Sequence, residues 1–303
     1  VDLSVVVLSW NTRELVRSCL AALEEAGIHS LGEVVLVEQD SRDGTAGMVE
    51  EEFPWVRLFR AGKNLGYAAG NNLGASRARG RWLCLLGSDT RVRPGALEGL
   101  VSFLEENPEY GAAAPKLVGP GGEVQRACMN FPGLLTALTF DNFLSRFPPG
   151  KWIQDRYYMR GFDHLSPRDV DQPPGTCLVL GRKDYLAMGG MDPGLFLFFN
   201  DVDLCRRIRA GGRKIRYLPS SEVVHLGGAS TSRYGRMAVQ WQLDRLAYYR
   251  KWYGSWVGPL LKLLVLERAW EERWAIRKRL ADPQDRKAAL ADLREAVREV
   301  LRA

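Results

Sequence analysis

LSVVVLS, residues Leu3–Ser9, carries no charge, is too short for a helix and is rich in β-branched side chains, so it predicts a strand. Its apolar residues are consecutive rather than alternating, which means both faces of that strand are covered. Further strands are predicted at EVVLVE (33–38), VRLFR (56–60), WLCLLG (82–87) and GAAAPKL (111–117). Helical patterns lie between them at Thr12–Ala26, Asp43–Glu52, Gly66–Arg79 and Pro94–Glu106, and Pro94 suits a first helical turn. Alternation of this kind is the pattern of a mostly parallel sheet with helices on its faces.

Beyond the fifth strand the rhythm breaks. Residues 118–173 are rich in Gly, Pro and aromatics with no clean period, which predicts an irregular insertion acting as a loop or lid. Regular structure is expected again at GTCLVLGR (175–182), in a helix running through Met188, and in two strands, KIRYLP (214–219) and EVVHL (222–226). From Tyr234 onward the chain reads as about three helices. The expected organisation is a catalytic domain over 1–233, with an insertion at about 131–173, and a helical extension over 234–303.

Bulk composition narrows the class. With 303 residues, 46% hydrophobic and 26% charged, the chain can bury a large core. Its five cysteines are scattered and form no CxxC pair, which argues against a disulfide framework or a cysteine metal site and suits a reducing compartment. No basic leader precedes the first apolar run, and no segment reaches the roughly 20 apolar residues of a spanning helix. A cytoplasmic protein is expected, at the inner face of the cell membrane if at a membrane. The net charge of +6 suits an anionic partner such as a diphosphate, a nucleic acid or acidic lipid headgroups.

In open α/β sheets ligands bind beyond the carboxyl ends of the strands. There the chain offers Ser9, Trp10 and Asn11 after the first strand, Glu38 to Ser41 after the second, and Gly87 to Thr90 after the fourth. An aromatic face, carboxylates and hydroxyls converging on one crevice suit a nucleotide. No GxGxxG follows the first strand and no GxxxxGK[ST] occurs, so phosphate charge would most simply be met by a metal with oxygen ligands.

SVVVLSWN, VEQDSRDGT, NLGYAAGNNLG, LLGSDTRV, GTCLVLGRKDYLAMGGMDPGLFLFFNDVDLCRRIRAGG and VVHLGGAS occur in this order. Over roughly residues 3–255 the chain thereby resembles the family 2 glycosyltransferases, particularly the bacterial rhamnosyltransferase-like branch. The resemblance implies a GT-A type Rossmann-like αβα sandwich and an inverting, metal-dependent transfer of a sugar from a nucleotide-diphospho-sugar to a saccharide or lipid-linked hydroxyl in cell-surface polysaccharide assembly. Rhamnose from dTDP-rhamnose is the favoured donor sugar, with glucosyl, galactosyl and mannosyl donors open.

By the same resemblance, Asp201 stands where the family has its general base, and Asp203 is read as the cap of the following helix. Ser9, Trp10, Glu38, Asn71, Ser88, Asp89, Gly175 and Asn200 are the donor-binding set. Asp89 and His225 are the ligands of Mg2+ or Mn2+, while Gly227, Gly228 and Ser230 suit close approach to phosphate or a tight turn. Three positions depart from the family pattern: Glu38 for an Asp, a single acid in Gly87-Ser88-Asp89, and Asn200 for a Glu. Loss of a like charge at 200 is expected to lower the pKa of Asp201. These departures are also the support for a rival, a non-catalytic nucleotide-sugar-binding or scaffold protein on the same fold. SRDGT is read as structural.

Basic residues in the C-terminal helices alternate with acids, as on a solvated face, which argues against nucleic-acid binding. The segment from Trp241 to Trp274 interleaves aromatics, apolar residues and bases, suiting either a peripheral membrane contact or a packed core or homodimer seam. Phe143, Phe147, Trp152, Tyr157 and Tyr158 in the insertion could form an acceptor-side lid.

Overall fold

The computed structural model describes residues 2–140, 143–227, 237–279 and 282–303; Gly228, Ser230 and the side chain of Phe143 lie outside what it describes. In chain order the elements are β1 (Leu3–Ser9), α1 (Arg13–Glu25), α2 (Ile28–Leu31), β2 (Gly32–Glu38), α3 (Thr45–Glu52), β3 (Arg57–Arg60), α4 (Gly66–Arg77), β4 (Trp82–Leu86), β5 (Thr90–Val92), α5 (Ala96–Glu106) and β6 (Tyr110–Val118). After these come α6 (Leu134–Thr139), α7 (Pro148–Tyr157), β7 (Arg168–Asp169), β8 (Cys177–Gly181), α8 (Arg182–Ala187), α9 (Asn200–Ala210) and β9 (Lys214–His225). The chain closes with α10 (Met237–Tyr253), α11 (Val257–Arg279) and α12 (Pro283–Arg302).

Two compact units result: Val1–Phe131, Tyr158–Phe196 and Asn200–Gly235 form the first; Pro132–Tyr157, Leu197–Phe199 and Arg236–Ala303 form the second. The first is built on one sheet in the order β3-β2-β1-β4-β8-β6-β9-β5, with β7 paired to β9. Strands β3, β2, β1 and β4 are parallel; β8 runs against both β4 and β6, and β9 is parallel to β6. The expectation of continuous apolar strands has a direct physical outcome. Val5, Val7, Val34, Leu36, Cys84 and Leu86 enter the core on one face, while Val6, Val35, Leu83 and Leu85 enter the core on the other.

Small residues let α4 lie close on the sheet. A Cβ at Gly74 would sit 2.4 Å from Val6 Cγ1. Gly74→Ala should therefore destabilise the protein by roughly 1–3 kcal/mol through overpacking, despite the gain in helix propensity. Urea unfolding checks this; an unchanged midpoint would mean the helix and sheet can move apart freely.

Two expectations are corrected, and two strands are added. The strands at 214–219 and 222–226 are one strand, β9, whose pairing to β6 passes from Leu218 opposite Pro115 to Glu222 opposite Lys116 and skips the three residues between. Part of the 118–173 insertion is helical rather than irregular. Its α6 and α7 are short and bury Thr136, Thr139 and Gln154, so no apolar period marks them. Two short strands, β5 and β7, were not expected and complete the β9 side of the sheet.

In the second unit an aromatic core forms around α10. Phe140 stacks on Trp241, and Phe199 packs against Trp241 and Tyr248. Buried Asp244 accepts from the backbone N–H groups of Leu197 and Phe198 and from Gln240 Nε2. Tyr157 belongs to this interior, whereas Trp152 is exposed. Among the described residues no helix is long and apolar enough to cross a membrane.

Candidate active site

The topology gathers one edge of the sheet. Ser9 and Glu38 close the parallel strands β1 and β2, and Asp89 follows β4. Because β6 and β9 run the same way as β4, His225 at the end of β9 lies on that edge too. Strand β8 runs oppositely, so its start, beside Gly175, is at this edge, and α9 must begin here because it leads to β9 at the far one.

The loops after β1 and β2 are tied together. Glu38 accepts the Ser41 N–H, Ser41 Oγ accepts the Asn11 N–H, and Asn11 Oδ1 accepts the Arg42 N–H. Asp43, as read from SRDGT, is structural: its carboxylate accepts from the Arg13 and Thr45 N–H groups at the starts of α1 and α3. Those bonds hold its carboxyl below the usual range against the opposing effect of burial, which is the largest single influence. Glu38, Ser9, Ser88 and Asp89 are buried, and Trp10 is half-buried. Asn71 is buried within α4 and donates to the Tyr67 carbonyl; Asn200 is buried at the start of α9.

Asp89 and His225 face each other, Oδ2 to Nε2, at 3.7 Å. The β5–β9 ladder fixes them: Thr90 pairs with His225, and the Leu226 N–H donates to the Asp89 carbonyl. Gln125 decides which nitrogen of His225 carries the proton. Its Nε2 donates to the His225 backbone carbonyl at 2.8 Å, which turns its Oε1 toward His225 Nδ1 at 2.7 Å. The ring proton therefore sits on Nδ1, and the Nε2 lone pair faces the carboxylate. Burial lowers the His225 pKa and the Asp89 charge opposes it less strongly, so the neutral ring is favoured. Two acceptors at this separation repel unless a cation lies between them; the carboxylate oxygen suits Mn2+ or Mg2+, and the imidazole nitrogen favours a transition metal such as Mn2+ over Mg2+. Among the described residues no cluster of three or more His, Cys, Asp or Glu side chains could hold a metal.

Asp201 is half-buried in the first turn of α9. Its Oδ1 accepts from the Val202 N–H at 2.8 Å, and the N–H groups of Asp201 itself and Gly175 also stabilise the charge. Burial outweighs them and raises its pKa. The lowering expected from Asn200 is relative to a Glu at that position; against the ordinary carboxylate value burial is the larger influence, and the net direction is upward. A Cβ at Gly175 would stand 2.5 Å from Asp201 Oδ2, so only Gly allows this approach. Tyr67 donates to the Gly175 carbonyl at 2.8 Å, and its hydroxyl feels the charges of both Asp201 and Asp89. Asp203, read as a cap, is fully buried and accepts from Arg207 Nε at 2.9 Å; Arg207 in turn donates to the Met188 and Gly190 carbonyls.

Gln125 and Tyr67 were missed by sequence reasoning. Tyr67 lies inside the quoted NLGYAAGNNLG and could have been found there; Gln125 carries no local signal.

A single mixed sheet with helices on both faces and its polar groups gathered at one edge is here the GT-A glycosyltransferase fold. The chain belongs to glycosyl transferase family 2, whose family model matches residues 4–155. It is 27% identical over 292 residues to the N-acetylglucosaminyl-diphospho-decaprenol L-rhamnosyltransferase of Mycobacterium tuberculosis, covering 92% of this chain and 90% of that protein. Coverage of that extent reaches into the helices beyond residue 255, where the resemblance read from the motifs ends. The O-antigen biosynthesis protein RfbC of Myxococcus xanthus is 28% identical over 84% of this chain and 19% of its own length.

Among solved structures, GalNAc-T7 with UDP, GalNAc and Mn2+ matches 82% of this chain with a TM-score of 0.57 and 18% identity; this chain spans 50% of it. S. aureus TarS 1-349 matches 83% of this chain and 73% of its own, with a TM-score of 0.52 and 15% identity. At such identity the likeness is one of fold.

Proposed function

We propose that this glycosyltransferase is an inverting, metal-dependent rhamnosyltransferase. It takes rhamnose from dTDP-rhamnose and adds it to a hydroxyl of a lipid-linked saccharide in cell-surface polysaccharide assembly. What carries this is the opposed pair of acceptors, Asp89 Oδ2 and His225 Nε2, beside a carboxylate on α9 that has lost water. The mycobacterial relative's name supports the sugar and the lipid-linked acceptor, and the GalNAc-T7 crystal with UDP and Mn2+ supports the use of a metal.

Asp89 and His225 would hold the cation, and bound there it supplies positive charge against the departing diphosphate. The acceptor oxygen attacks the anomeric carbon from the side opposite the leaving group, and the bond to the nucleotide's β-phosphate oxygen breaks. Asp201 takes the proton of the attacking hydroxyl as the new bond forms. Its raised pKa makes it a stronger base than a solvated carboxylate, and Gly175 and Val202 hold it in place through their N–H groups. Trp10 and Glu38 are assigned to the base, and Ser9, Asn71, Ser88 and Asn200 to the remainder of the donor.

A thermal-shift panel of dTDP, UDP and GDP with Mn2+ or with EDTA tests the donor side. The expected result is the largest shift for dTDP with Mn2+, because a ligand bound only by the folded state raises the midpoint. A larger shift with another nucleotide would replace the donor.

Gln125 should act through His225. Gln125→Leu leaves the Nδ1–H without its acceptor, so Mn2+ affinity should fall roughly 10- to 100-fold. Gln125→Glu keeps an acceptor and should retain most of it. Titration of free Mn2+ by electron paramagnetic resonance reads both without any turnover. Equal affinity in all three proteins would remove Gln125 from this role.

A further inference from the structure

Exposed hydrophobic side chains are unevenly distributed. All of the large ones among the described residues, apart from Leu165 and Leu186, lie in the second unit. On α11 they form a stripe: Leu263, Leu266, Trp270 and Trp274 recur at helical spacing and are 62%, 44%, 71% and 56% exposed. The opposite side of the same helix is already used, since Val257, Leu261, Val265 and Ile276 are buried. So α11 is apolar on two faces and only one is covered.

Beside the outer stripe, α11 and α12 enclose a groove of about 320 Å³. Leu266, Trp270, Leu293 and Val297 supply apolar lining, Arg273, Arg294 and Arg298 supply charge, and no carboxylate lines it. None of these three arginines makes an ion pair with a described carboxylate. We propose that this groove and stripe form a docking site for an anionic lipid surface, with phosphate headgroups at the arginines and acyl chains against the tryptophans and leucines.

Charge complementarity selects this occupant. A second copy related by a two-fold axis would set this same arginine-bearing patch, which no carboxylate lines, against itself. Interface cores between proteins are also depleted in charge. A headgroup layer instead favours this mixture: tryptophan rings bury their bodies there, and long basic side chains reach the phosphates. The first half of the expected contact segment does not take part, since Trp241, Tyr248 and Tyr249 close the core around α10.

Flotation of the full chain with phosphatidylglycerol or phosphatidylcholine vesicles tests the proposal. Wild-type protein should float with phosphatidylglycerol at low salt, release as salt screens the attraction, and ignore phosphatidylcholine. The Arg294→Glu/Arg298→Glu variant should partition roughly ten-fold or more weakly. In the unaltered chain, phosphatidylglycerol with brominated acyl chains should quench tryptophan emission, which keeps the test valid should the variant fail to fold.

Equal failure on both vesicles at low salt would overturn the proposal. So would flotation that the charge reversal leaves unchanged, or a wild-type dimer in the ultracentrifuge that the reversal dissociates. No nucleotide sugar enters these measurements, so they can fail without the transfer chemistry failing, and the reverse.

Discussion

Asp201→Asn should abolish sugar transfer and at the same time make the protein more stable at neutral pH. A positioned general base is worth about 10²- to 10⁴-fold, and the amide cannot take the proton of the incoming hydroxyl. Donor binding should hardly change, because the base acts on the acceptor side. The stability effect follows from the direction of the pKa shift. Burial raises the Asp201 carboxyl above its ordinary value of 3.8. A carboxyl raised in the folded state contributes stability that is complete below the unfolded value and is lost as pH rises through the folded one. Wild-type protein therefore bears that cost at neutral pH, and the neutral amide does not. Melting curves from acid to neutral pH should show the variant's advantage growing as pH rises past 3.8. Transfer by the wild type should rise over the same interval, as the base ionises. Wild-type transfer rates in the variant would make Asp201 a structural residue of α9. A variant less stable than the wild type at neutral pH would mean the N–H groups of Gly175 and Val202 outweigh burial.

How far such a site can be read in advance depends on the range of the signal. β1, β2 and β4 announce themselves because a strand covered on both faces is apolar at consecutive positions through its middle, and Val5–Leu8, Val34–Val37 and Trp82–Leu86 show it. Asp89, Asp201 and His225 are legible because each sits inside a local run of residues with a recognisable order. Their environment is not. The water lost by Asp201 depends on Gly175 approaching from a different segment, and nothing near 201 encodes that distance. Gln125 is further still, 100 residues before His225 in the chain, and only the β6–β9 pairing with its skipped residues brings it there. β5 escapes notice because its three residues are too few to show a repeating pattern. The two apolar faces of α11 escape it for the opposite reason, since a helix apolar on two sides has no single stripe.

Asp89→Ala and His225→Ala should each remove the metal-dependent part of nucleoside diphosphate binding, and together they should cost no more than either alone. The reason lies in the pair. Asp89 Oδ2 and His225 Nε2 are 3.7 Å apart with both lone pairs directed inward, an arrangement that is unfavourable by itself and favourable around a cation. Removing one acceptor leaves a single ligand, too few for this chain to retain the ion. The second substitution then has nothing left to remove, so the double-mutant cycle in Mn2+ should be strongly non-additive. In EDTA the same substitutions should be small in effect and close to additive. Calorimetric titration with dTDP, with Mn2+ and with chelator, separates the cases. Binding that falls equally in both conditions would make Asp89 and His225 direct contacts to the nucleotide. Binding that survives both substitutions in Mn2+ would move diphosphate neutralisation to Arg or Lys side chains.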